Sequence, residues 1–197
     1  MEQVSSDTFL GDIISSDGKN KLNIESRVAK GLGIVSQIMD MLKTVSFGEH
    51  YFKMALSYRE SMLINGVLTN CESWYGLSET EVEQLEEVDK LLLRQVFAVA
   101  STCPIEALYL EMGCFPFSLT IKSRRINFLH YLVTREKKEM LNKFFLTQWK
   151  YPIKPWTYSI KISLGTQKMN LQNYLKDKKL SLKQARAVFK YKLLRQF

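Results

Sequence analysis

Apolar residues recur along LNIESRVAKGLGIVSQIMDML at alternating steps of four and three: Ile24, Val28, Gly31, Val35, Ile38 and Leu42. That spacing places one stripe along a helix over 22–42. Arg27, Lys30 and Gln37 run beside it as a polar flank that could touch an anion. Gly31 and Gly33 each cost about 1 kcal/mol in a helix interior relative to Ala. Their presence points to close packing there, by a neighbouring helix or by a nucleic-acid backbone. A second helix is expected over 49–68, with Phe52, Ala55, Leu56, Met62, Leu63 and Val67 apolar and Arg59 on a different arc. Trp74 and Tyr75 follow as an aromatic plug. Ser78 before Glu81, and Thr80 before Glu83, have capping-box spacing and open a third helix running to about Val99. Its inward positions are Val82, Leu85, Val88, Leu92, Val96 and Val99.

Shorter elements complete the pattern. Thr8 to Ile14 reads as one short strand, closed by a turn at Ser15-Ser16-Asp17-Gly18. Its partner is either a later segment, Tyr158 to Leu164, or a sheet outside the chain. Pro104 starts a short helix through Leu110, and Gly113 ends it. One or two helices cover 118–149, where Lys122, Arg124 and Arg125 form a basic group, solvated or paired with acids of the third helix. A Pro-punctuated linker at 151–156 leads to a basic tail. The tail ends in an amphipathic helix over 181–197. The fold class expected is mainly α: a helical bundle preceded by a short β-hairpin remnant and followed by a basic helical tail. The domain division expected is 1–20, 21–150 and 151–197.

Composition narrows the class. The 197 residues are 46% hydrophobic and 12% aromatic, enough for a core. No apolar run reaches the roughly 18 residues of a membrane span. The opening MEQVSSD is polar and acidic, so no signal peptide is read there and an intracellular setting, nucleus or cytoplasm, is expected. Cys71, Cys103 and Cys114 lack C-x-x-C spacing, and His50 and His130 lack a ligand pattern, so no zinc site is expected. The net charge of +8 is unevenly spread: residues 150–197 hold twelve Lys and Arg against one acid, Asp177. The remainder carries sixteen basic and nineteen acidic residues. Such a tail suits nucleic acid, an acidic partner or a membrane surface. Paired aspartates, a phosphate loop, a nucleophile elbow and HExxH are all missing from the sequence.

Five stretches in order resemble the C-terminal part of reverse transcriptases of non-LTR (LINE-type) retrotransposons. They are FLGDIISSDG, ESRVAKGLGIVSQIM, SMLINGVLTNCESWYGL, IEALYLEMGCFPF with IKSRRINFLHYLVTRE, and FFLTQWKYP, together about residues 8 to 155. The resemblance implies a palm-closing hairpin, the primer grip, followed by a helical thumb that holds the primer–template duplex. Phe9, Leu10 and Gly11 would then position the primer end. Arg27 and Lys30 would lie near the duplex backbone, and Lys122, Arg124 and Arg125 match the family's basic segment. The expected partners are an RNA/DNA duplex or RNA template and the parent polymerase's palm and fingers. The family's catalytic aspartates have no counterpart here, so the chain is expected to be inactive alone. It is expected to carry no cofactor, because magnesium would be held by the missing palm. The basic KPWTYSIKISLGTQK replaces the family's acid-rich continuation, which suggests a fragment or decayed copy. The alternative is a non-enzymatic helical interaction module that docks through its tail.

Overall fold

Local chemistry decides the first element. In the computed structural model, which describes residues 5–74 and 76–134 and scattered positions between 140 and 147, the chain opens with a hairpin rather than a single strand. Strand β1 (Ser6–Phe9) pairs antiparallel with β2 (Asp12–Ser15), Phe9 facing Asp12 and Ser6 facing Ser15. The two-residue turn has positive φ at both Leu10 (50°) and Gly11 (83°), as a type I′ hairpin turn requires. The strand expected over Thr8–Ile14 is thus cut in half by its own Leu-Gly and finds its partner within itself. The Asp17 turn forms as expected: Ser15 Oγ and the Lys19 amide donate to the Asp17 carboxylate.

Helix α1 (Lys21–Leu42) follows, and its stripe is buried at Ile24, Gly31, Val35, Ile38 and Leu42, with Val28 half-buried. Helix α2 (Glu49–Tyr58) runs into a π-helical segment (Arg59–Ile64) and a last turn, α3 (Asn65–Val67). Helix α4 (Glu79–Phe97) starts at the Ser78–Glu81 capping box, with both reciprocal bonds present. It buries Leu85, Val88, Asp89, Leu92, Leu93 and Val96, and Ala98 caps it in the left-handed region. Helix α5 (Ile105–Met112) follows Pro104 and ends at Gly113, again left-handed. Helix α6 (Phe117–Thr134) is the last element described in full. The expected tail strand and helices, the linker and Tyr75 lie outside the described residues.

The chain divides into two compact units, one of Met1–Asn70 with Leu77–Thr120, the other of Cys71–Gly76 with the chain from Ile121 on. In the first, α1 is the hub and packs against α4, α3, α2, the π segment and β2. Gly31 makes this possible. A Cβ there would lie 2.8 Å from Val88 Cγ1 and 2.9 Å from Val67 Cγ2. A neighbouring helix therefore accounts for Gly31. No heavy atom lies within 4 Å of a Cβ on Gly33, which faces outward. In the second unit Cys71, Trp74, Ile121, Ile126, Leu129 and Leu132 are buried, so Trp74 is the plug its size suggested. Among the described residues no helix is long and apolar enough to cross a membrane.

Candidate functional site

The hairpin turn is where the sequence candidates concentrate. Phe9 is 63% exposed and Leu10 78% exposed. The polar atoms behind them face the protein. Arg27 Nη2 donates to the Gly11 carbonyl and to Asp12 Oδ1, each at 2.8 Å, and Nη1 donates to the Gly66 carbonyl at 3.2 Å. Asn23 Oδ1 accepts from the Ile13 amide at 3.2 Å, and its Nδ2 donates to Asp12 Oδ1 at 3.3 Å. Asn70 Nδ2 donates to the Leu10 carbonyl at 3.3 Å and to Asp12 Oδ2 at 3.1 Å. The turn is held by its backbone while its apolar side chains are displayed.

Arg27 therefore does not stand on a solvent-facing flank. It is 4% exposed and belongs to the interior of the first unit. Position 27 is three residues after Ile24 and four before Gly31, which puts it inside the apolar stripe. Lys30 and Gln37, by contrast, are exposed. The structure brings Phe9, Leu10, Gly11 and Arg27 together. Lys122, Arg124 and Arg125 belong to the second unit. There Lys122 is exposed, Arg124 and Arg125 are half-buried, and Arg125 donates to the Trp74 carbonyl. Burial pulls the Arg125 guanidinium down from its usual range. Burial likewise pushes the Cys71 thiol up to about 11, against the pull of Arg124.

A second polar cluster was missed by the sequence reading. Arg59 donates from Nε and Nη2 to the two carboxylate oxygens of Asp89, at 2.7 and 2.6 Å. Its Nη2 also reaches the Phe115 carbonyl at 2.7 Å, and the guanidinium lies 5.7 Å from the Phe117 ring centre. Tyr109 Oη donates to Asp89 Oδ2 at 3.0 Å. Burial works against the Arg59 charge, but Asp89 outweighs it and holds Arg59 above its usual range. Burial also pushes the Tyr109 hydroxyl and the Cys114 thiol up, the latter to about 11. The signal available was Asp89 on the inward arc of α4, four after Leu85 and three before Leu92. A bidentate, fully buried pair of this kind offers no open position to a substrate, so the cluster fixes the π segment to α4 and α5. Among the described residues no group of three or more His, Cys, Asp or Glu is placed to hold a metal ion.

No protein-family model matches the chain, and no curated protein or solved structure does either.

Proposed function

We propose that this chain is the primer-grip hairpin, thumb and post-thumb portion of a non-LTR retrotransposon reverse transcriptase. On this reading it holds a primer–template duplex inside the cell, and it does not polymerise without the palm and fingers. The observation that carries the reading is Leu10. It occupies a left-handed position, φ 50°, at a turn site where Asn or Gly is favoured, and its side chain is exposed to solvent. A locally unfavourable residue displayed at a surface turn points to use. Beside it stands Phe9, and one helix on stands the exposed Lys30. The order of the five resembling stretches supports the same reading. Apolar contact at the primer end with Lys on phosphate grips a duplex without reading its sequence, which a polymerase thumb needs.

The test is fluorescence anisotropy of a labelled RNA–DNA hybrid with a recessed primer, titrated with the whole chain across a salt series. Binding is expected with Kd on the order of micromolar at physiological salt, weakening steeply as salt rises. Leu10→Asn should weaken it severalfold while making the turn more favourable. Unchanged affinity in Leu10→Asn would overturn the role of the hairpin. A second reading is favoured by the charge of the tail, twelve basic residues against one acid. It makes the chain a helical interaction module that docks through 150–197 on nucleic acid, an acidic partner or a membrane surface. Indifference to Leu10→Asn and Lys30→Glu, with binding lost when tail lysines become Gln, would select it.

A further inference from the structure

Three side chains from two segments converge on the hairpin turn: Asn23 and Arg27 from α1, and Asn70 from just beyond α3. We propose that they form a clasp that sets the orientation of the Phe9–Leu10 tip, and that Arg27 serves duplex binding through that tip rather than by touching phosphate. The proposal rests on the duplex-binding reading above.

The geometry separates the two roles available to Arg27. A phosphate-binding arginine presents its fork to solvent. Here both terminal nitrogens point into the protein and bond Gly11, Asp12 and Gly66. The fork thereby ties the turn to the C-terminal end of the π-bearing helix as well as to α1. Asn23 takes the amide of Ile13, and Asp12 collects donors from Asn23, Arg27 and Asn70. A two-stranded hairpin is marginal by itself, so its orientation depends on such outside bonds. Asn70 has φ 62°, which Asn tolerates better than most residues, so its backbone suits the position from which its side chain reaches Leu10.

That conformation supplies a clean variant. Asn70→Gly keeps the left-handed backbone and removes the side chain, without changing charge. Arg27→Gln removes the fork. In the whole chain, hydrogen exchange of segment 6–16 should speed up about tenfold in Asn70→Gly, the factor expected for losing one part-buried and one exposed hydrogen bond. It should speed up in Arg27→Gln too, while α4 exchanges as before. Affinity for the RNA–DNA hybrid should fall by similar factors in both variants, with the salt dependence of wild type retained. Exchange at the wild-type rate in Asn70→Gly would overturn the clasp. Faster exchange with wild-type affinity would reduce it to a fold contact and overturn the positioning role. A loss confined to Arg27→Gln, with the log–log salt slope smaller by about 0.9, would put Arg27 on a phosphate and overturn the proposal. If the wild-type chain does not bind the hybrid, the proposed function and the positioning role both fall, and exchange alone tells whether the clasp holds the tip.

Discussion

Asp89 has no exposed surface, yet its carboxylate accepts three hydrogen bonds, two from Arg59 and one from Tyr109. Asp89→Ala leaves a buried guanidinium facing an apolar gap. The loss of unfolding free energy should be about 3–5 kcal/mol, read by urea titration. Replacing the whole cluster, Arg59→Met with Asp89→Leu and Tyr109→Phe, should recover most of that loss, because no charge or hydroxyl is then stranded. An Asp89→Ala loss below about 1 kcal/mol would show that water reaches the pair. At this scale the sequence contained the positions but not the partnerships. Arg27 and Asp89 each sit at helical steps from buried apolar neighbours, so their inward placement could be counted. The acid that meets Arg27 lies on a separate element, and the arginine that meets Asp89 is thirty residues away. Periodicity within one helix says nothing of such pairs.

Helix α1 carries two glycines that look alike in sequence and differ in structure. Gly31→Ala would push a methyl to within 3 Å of Val88 on α4 and Val67 on α3. It should destabilise the chain by about 1–3 kcal/mol, as overpacking does. Gly33→Ala meets nothing and should stabilise by about 1 kcal/mol through helix propensity. Thermal melts of the two variants should therefore move in opposite directions. Most elements were legible from pattern: α1 to within a residue at its start, the Ser78 capping box, and the Pro104 start and Gly113 stop of α5. Two were not legible from pattern. The short β-hairpin of the expected fold class is found, but periodicity alone read Thr8–Ile14 as one strand, because Leu-Gly is a weaker turn signal than Asn-Gly and Thr8, Phe9, Ile13 and Ile14 suit a strand. The π-helical turn at Arg59–Ile64 leaves no mark on the apolar pattern, and nothing in the sequence points to the Arg59–Asp89 pairing made from it.

Over the whole molecule, charge and apolar surface act together. The +8 net charge opposes association, while Phe9, Leu10, Ile14 and Phe47 expose more than half of their surface. Salt weakens the first effect and leaves the second. Sedimentation velocity at tens of micromolar protein should show mainly monomer at low salt and growing oligomers at high salt. A monomer at every salt concentration would mean that these side chains do not associate. The charge asymmetry was plain in the sequence. The exposure of the hairpin tip was not, since alternating apolar residues look alike whether they face a core or water.

The clasp also imposes an order in time. Asn70 is sixty residues from Leu10, so the hairpin leaves the ribosome well before the last of the three residues that seat it is made. At ordinary elongation rates that gap is roughly 3 to 12 seconds. Through that interval the turn has only its bonds to Asn23 and Arg27, and its full docking waits for Asn70. A stall before Asn70 is made would leave the apolar turn incompletely held on the nascent chain, open to chaperones and to other copies of itself.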